Sequence, residues 1–219
     1  MQSLRSVIYS NILLESIKKL SKDIKGIIVF DIDDTLLKAN PKVISIYKKE
    51  PGKLEKKLST DDFAKDPDAN DPSKKSWFDY RDFEDPVKVY NSIVTGTPLI
   101  KNLRIMDEYI KAGYDFCFLT ARSCEDVVKS ALMDFLKKRN NNGALEELGE
   151  EFKQSLSHAV NDNIRSYPGN SDAEKKANIL RNLCQQYDKV VFVDDDRKNI
   201  TAANNLGLKN LMVIKAWEH

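Results

Sequence analysis

The stretch IIVFDIDDTLL, residues 27–37, sets four apolar side chains, Ile27 to Phe30, directly ahead of Asp31, Asp33 and Asp34. A short apolar run bounded by Gly26 on one side and acids on the other predicts a strand covered on both faces. Such strands belong to parallel sheets packed between helices. The acids that follow need an explanation, because clustered carboxylates repel one another unless a cation or a proton offsets them.

The pattern recurs along the chain. YDFCFLTAR, residues 114–122, predicts a second strand over 115–119 with Thr120 just past its end. KVVFVDDD, residues 189–196, predicts a strand over 189–193 that runs into Asp194, Asp195 and Asp196, and residues 211–214 predict a last strand. Helical spacing separates these runs. Leu99, Leu103, Ile105, Met106 and Ile110 mark one helix that ends near Gly113. Val127, Val128, Ala131, Leu132, Phe135 and Leu136 mark a second over 123–138, stopped by Asn140 to Gly143. Ile179, Leu180 and Leu183 mark a third over 171–187, with Ser171 or Asp172 as its cap, and a fourth covers 199–206 and closes at Gly207. Leu13, Leu14, Ile17 and Leu20 suggest an amphipathic helix ahead of the first strand. Residues 144–170 read ambiguously, with a helix through Leu148 and Phe152 and a short strand near His158 to Val160.

Strand and helix in regular alternation predict an α/β fold, a doubly wound, mostly parallel, Rossmann-like sheet flanked by helices. The first strand-to-helix turn is acidic, and neither a glycine-rich dinucleotide fingerprint nor a Walker loop occurs in the sequence. Composition changes between residues 38 and 96, where Lys and Glu cluster, then Asp, Pro and Asn, then the aromatics Trp77, Phe78, Tyr80 and Phe83. This segment is read as a small cap or flap inserted after the first strand, dividing the chain into a core of residues 1–37 and 97–219 and an insertion of residues 38–96.

Lys and Arg number 35 and Asp and Glu 34, so a net charge of +1 gives no general attraction to nucleic acid or anionic membrane. The first twenty residues resemble neither a signal peptide nor a membrane span, and Cys117, Cys124 and Cys184 form no CxxC pair or disulfide framework. A cytoplasmic protein is expected. His158 and His219 are the only histidines and neither lies near a cysteine, which disfavours zinc.

Loops at the carboxyl ends of parallel strands share one crevice, so Asp31, Asp33, Thr120 and Asp194 to Asp196 are expected to converge. An all-oxygen ligand set suits Mg2+, which keeps some waters and accepts phosphate as a ligand. Beside such an ion Asp31 is the candidate nucleophile toward phosphorus, and Asp33 the group that gives a proton to the leaving oxygen and takes one from water. Thr120, with its backbone amide, is a candidate holder of a phosphoryl oxygen, and Lys175 or Lys176 supplies a positive charge.

On these residues the chain resembles the haloacid dehalogenase-like superfamily of aspartate-nucleophile phosphohydrolases. DIDDT at 31–35 matches its DxDxT signature and LTAR at 119–122 its second motif. Lys176 in KKANIL fits its lysine, with Lys175 the alternative, and VFVDDDRKNI at 191–200 its acidic motif. The resemblance covers the core from Gly26 to Ile214 and leaves out the insertion. It implies that Asp31 forms an aspartyl-phosphate, that Asp33 is general acid and base, and that Thr120 and Lys176 bind phosphate. It further implies Mg2+ ligation by Asp194, by Asp195 directly or through water, by Asp31 and by the backbone carbonyl of Asp33. Asp34 occupies a position that is often Gly in the family and has no assigned role; Asp196 and Asn199 are expected to shape the loop and the following helix start.

The expected activity is Mg2+-dependent hydrolysis of a phosphomonoester, a small metabolite or nucleotide. A polynucleotide-end phosphatase and a non-catalytic phosphate-binding or protein-interaction module are the alternatives. Trp77, Tyr80 and Arg81, with Phe78 and Phe83, are candidate substrate contacts, against the competing expectation that the aromatics hold the insertion together. Lys48 to Lys57 are expected on a charged solvent face. Nucleic acid is not the favoured partner, and oligomeric state is left open.

Overall fold

Strand β1 (Gly26–Phe30) is buried along its whole length, as a central strand with helices above and below must be. The computed structural model describes residues 25–69, 71–140, 160–163 and 168–217. The predicted helices through Leu13 to Leu20 and through Leu148 and Phe152, the stop at Asn141 to Gly143, and both histidines lie outside the described residues.

β1 pairs in parallel with β7 (Asp115–Thr120) on one side and with β9 (Lys189–Asp194) on the other. Beyond β7 lies β8 (Val160–Asn163), and beyond β9 lies β10 (Leu211–Lys215), both parallel to their neighbours. The order is therefore β10-β9-β1-β7-β8, a five-stranded parallel sheet. The order reverses between β1 and β9, so the crevice expected of open α/β sheets opens at the carboxyl ends of those two strands.

Period-two alternation splits the core between the two faces of the sheet. Ile28, Phe30, Phe116, Phe118, Val191 and Val193 face one layer, and Ile27, Val29, Cys117, Leu119, Val190 and Phe192 face the other. The first layer is closed by α3 (Ile100–Lys111) through Leu103, Met106 and Ile110, and by α4 (Glu125–Asn140) through Val128, Leu132 and Phe135. The second is closed by α5 (Asp172–Gln186) through Ile179 and Leu180, and by α6 (Arg197–Asn204) through Ala203. The chain is thus α/β with a parallel sheet flanked by helices.

Local details differ from expectation where capping decides them. Thr120 is the last residue of β7 rather than the first beyond it. α6 starts two residues before Asn199 because Asp196 caps it, its side chain accepting from the Lys198 N–H. Ser171, not Asp172, caps α5 by accepting from the Glu174 N–H. The ambiguous tract yields the strand, shifted to Val160–Asn163.

A short pair, β2 (Leu37–Lys38) with β6 (Thr97–Pro98), joins the two ends of segment 38–96, which holds an antiparallel trio, β3 (Ile46–Lys48) between β4 (Lys56–Leu58) and β5 (Phe78–Asp79). A short helix, α1 (Thr60–Lys65), and two 3₁₀ turns, Pro72–Trp77 and Arg81–Phe83, complete this part. A further helix that the composition concealed, α2 (Pro86–Val94), is capped by Asp85 with Pro86 at its first turn. Its Val89 and Ile93 are fully buried in the same cluster as Ile28 and Phe30. Lys48 is a correction: instead of facing solvent it is 6 % exposed and donates to Asp66 at 2.8 Å and Asp68 at 2.7 Å. A carboxylate pair meets the ammonium there, and its Nζ also lies over the Phe78 ring, 5.6 Å from the centroid.

Phe192 is fully buried at the centre of the α5 and α6 layer. Replacing it, Phe192→Ala, is expected to cost about 3–5 kcal/mol in urea denaturation; a loss below about 1 kcal/mol would contradict this packing.

Candidate functional site

Asp31 leaves β1 where the sheet's carboxyl edge begins, and its N–H donates to the Val193 carbonyl at 3.0 Å, so the backbone holds it beside β9. Asp194 is the last residue of β9 and is fully buried. Between the two carboxylates sits Lys176 of α5, itself buried, whose Nζ donates to Asp31 Oδ1 at 2.6 Å and to Asp194 Oδ2 at 2.8 Å. Of the two neighbouring lysines, Lys176 reaches the acids, whereas Lys175 lies partly exposed against Gly169.

Asp194 is held from every side. Asn199 Nδ2 donates to Oδ1 at 3.1 Å and to Oδ2 at 3.0 Å, and the Asp196 N–H donates to Oδ1 at 2.9 Å. Asp195 turns back toward the first motif, where the Thr35 hydroxyl donates to its Oδ1 at 2.9 Å. One oxygen each from Asp31, Asp194 and Asp195 falls within 4.8 Å of the others, close enough to share one ion.

Asp33 belongs to the same loop but meets another cation. Arg122 donates from Nε to Asp33 Oδ2 and from Nη2 to Asp33 Oδ1, both at 2.6 Å. Thr120 is buried at the end of β7, and its Oγ1 accepts from the Arg122 N–H at 3.2 Å. Asp34 takes the turn between them with φ of +54°, a left-handed conformation that Asp tolerates better than most residues. Its place in the loop is explained by this turn, and Asp can stand where Gly is often found. Asn102 ties the loop to the far edge of the sheet, donating to the Thr35 carbonyl at 2.8 Å and accepting from the Trp217 N–H at 3.0 Å.

No protein-family model matches the chain, and no curated protein matches it. What the site can do follows from its geometry and charge.

Burial pushes the Asp31 carboxyl well above its ordinary range; Lys176 pulls it down, and Asp194, Asp195 and Asp33 push it further up. Lys176 is shifted upward as well. Burial disfavours its charge, but Asp31 and Asp194 outweigh burial and raise it above the usual lysine value. Asp195 is pushed up to about 7, first by burial and then by Asp194, against the Thr35 hydroxyl. Four carboxylates, Asp31, Asp33, Asp194 and Asp195, meet two cations, Lys176 and Arg122, which leaves two negative charges when all are ionised. An oxygen-only donor set with that residual charge fits a hard divalent cation.

Beside Asp195 opens a cleft of about 870 Å³, walled by Phe63 and Ala69 of the insertion on one side and by Glu174, Arg197 and Lys198 on the other. Trp77, Tyr80 and Arg81 do not line it. Tyr80 packs edge-on to Phe63 at 5.8 Å and to Phe83 at 6.3 Å, and Lys74 covers the Trp77 ring at 5.2 Å. Arg81 pairs with Glu55 at 2.5 Å and Asp79 at 3.1 Å while stacking on Tyr47. Sequence reasoning left Arg122, Thr35 and Ser92 without roles. Arg122 and Thr35 stood inside quoted motifs, LTAR and DIDDT, but a lone Ser at position 92 carried no signal.

The raised Asp195 carboxyl sets a pH dependence. Its value of about 7 in the fold exceeds the ordinary 3.8, so its contribution to stability is complete below the ordinary value and is lost as pH rises through about 7. In the presence of a chelator, Asp195→Asn should raise stability at pH 8 by on the order of 1–3 kcal/mol and remove that part of the slope. Thermal melts between pH 4 and 8 that keep the same slope in the variant would refute this.

Proposed function

We propose that this protein is a divalent-cation-dependent phosphomonoester hydrolase of the haloacid dehalogenase-like, aspartate-nucleophile type. In this reading the sheet is a doubly wound core, residues 38–96 form a small cap, and the substrate is a phosphorylated small molecule of the cytoplasm. The observation that carries it is the bridge from Lys176 to Asp31 and Asp194, with Asp195 alongside, at the end of the sheet where its order reverses. A buried lysine between buried acids is a poor way to stabilise a fold, since desolvation consumes most of the Coulomb attraction. It is a good way to hold a carboxylate ready for a trianionic phosphoryl centre.

Asp31, Asp194, Asp195 and the backbone carbonyl of Asp33 would hold the cation, for which Mg2+ fits best, and when bound it neutralises phosphoryl oxygens and keeps Asp31 ionised. Lys176 holds Asp31 in place and, with Thr120, offers hydrogen bonds to the phosphoryl oxygens. A carboxylate oxygen of Asp31 attacks phosphorus, and the bond from phosphorus to the leaving oxygen breaks as Asp33 gives that oxygen a proton. Water then attacks phosphorus, Asp33 takes its proton back, and inorganic phosphate departs from the regenerated Asp31 carboxylate. The cleft beside Asp195 is the seat of the leaving group, with Phe63 and Arg197 in position for an apolar and an anionic part of it. Lys48 is committed to Asp66 and Asp68, so residues 48–57 supply no continuous basic track for a polynucleotide. Among the described residues no helix is long and apolar enough to cross a membrane.

Phosphate release from a panel of nucleotides, sugar phosphates and phosphorylated polynucleotide ends tests this directly. Release is expected only with Mg2+ or a similar cation, with loss of at least about 1,000-fold in Asp31→Asn. An inactive wild type across the panel would leave a phosphate-binding module instead.

A further inference from the structure

Arg122 has no part in the reaction described above, yet it is among the most constrained side chains in the site. It is 4 % exposed, and its guanidinium uses three separate nitrogens: Nε and Nη2 on the two oxygens of Asp33, and Nη1 on Ser92 Oγ at 2.9 Å. Ser92 is fully buried in α2 and gives its one hydroxyl proton to the Val89 carbonyl at 2.8 Å, which turns its lone pairs toward Arg122. The ring of Phe83 lies 5.8 Å from the guanidinium carbon, and the Phe83 carbonyl accepts from the Ser123 hydroxyl at 2.6 Å. Two segments between residues 81 and 95 therefore clamp Arg122 from the side opposite Asp33.

The pair is asymmetric. The Arg122 side chain is 2 % exposed and that of Asp33 is 30 % exposed. A pair serving only the core would bury both members or be replaced at little cost by apolar side chains. Here the buried member is fixed and the open member is the one that must point at a reacting atom. A planar fork on both carboxylate oxygens sets the plane of the carboxylate as well as its position, which a point charge cannot do. Each oxygen keeps a second lone-pair direction for a proton or a water.

We propose that Arg122 is a positioning residue for Asp33, fixing the plane of its carboxylate beside Asp31, and that Ser92 and Phe83 fix Arg122 in turn. α2 and the turn before it thereby set the geometry of proton transfer without touching substrate. This proposal rests on the phosphatase reading of the site.

The test exploits leaving groups. p-Nitrophenolate departs without a proton, whereas an alkoxide such as that from glycerol phosphate needs one. In Arg122→Gln, kcat on glycerol phosphate is expected to fall about 100-fold, with KM little changed, while p-nitrophenyl phosphate loses less than about 10-fold. Arg122→Lys, which keeps the charge and loses the fork, should show the same selectivity, and so should the milder Ser92→Ala, a variant that removes no charge. Adding Arg122→Gln to Asp33→Asn should cost nothing further. Equal losses on both substrates in the folded Ser92→Ala and Arg122→Lys proteins, or additive losses in the double variant, overturn the proposal. The pair of phosphoalkyl and phosphoaryl substrates is chosen from those the wild type turns over; no release by the wild type from these or from the panel above overturns the phosphatase reading and this proposal together, so the two failures are told apart.

Discussion

Everything in this site turns on one constraint, the cost of taking carboxylates out of water at the end of a parallel sheet. Asp194 ends β9 and Asp31 follows β1 directly with its N–H on the Val193 carbonyl, so neither can withdraw to solvent without disturbing the β1 to β9 pairing. Lys176 offsets part of that charge, and Asn199 and the Asp196 N–H meet the lone pairs that Lys176 leaves on Asp194. Asp195 is the group with least compensation, a Thr35 hydroxyl and little else, and its carboxyl is raised accordingly. A site built this way is costly for the fold and favourable for a divalent cation with a phosphoryl group, which is the physical content of the functional proposal.

The centre of the sheet follows from the sequence because β1, β7 and β9 are short, apolar on both faces and bounded by acids or glycine. Gly26 illustrates how closely: a Cβ at that position would lie 2.4 Å from the Tyr114 ring, so the strand begins where only glycine fits. The acidic residues converged for the same reason, since parallel strands with covered faces have one common carboxyl edge. What could not be read was the partnering. Arg122 and Thr35 were visible as letters in motifs, but a bidentate contact between residues 33 and 122 depends on the β1 to β7 register, which sequence spacing does not encode. Helix α2 escaped because it is short, with Val87 exposed and Val89 and Ile93 its only fully buried apolar residues. Its Asp85-Pro86 start was the available signal. Lys48 was misjudged because a lysine in a charged run is normally solvated, and the acids that bury it come from 18 and 20 positions later.

Residues 38–96 divide into two parts with different attachments. The trio around β3, with its ring cluster of Phe63, Phe78 and Tyr80, is tied together by its own contacts. α2 instead buries its apolar stripe in the main core and presents Ser92 to Arg122. Asp82 links the two, buried and accepting from the Ser45 N–H, the Tyr47 hydroxyl and Lys88. If the functional proposal holds, one segment both lines the cleft through Phe63 and Ala69 and, through Ser92 and Arg122, orients Asp33 by ordinary packing.

The central claim is that Asp31 is phosphorylated during turnover, and trapping that species is its most direct measurement. Rapid acid quench of the wild type with Mg2+ and a turned-over phosphomonoester, followed by borohydride reduction and peptide mass mapping, reads the acyl phosphate at a single position. The account predicts modification at Asp31 alone, dependent on the cation. Modification at another residue, or single turnover that releases phosphate with no acyl phosphate formed, would contradict it.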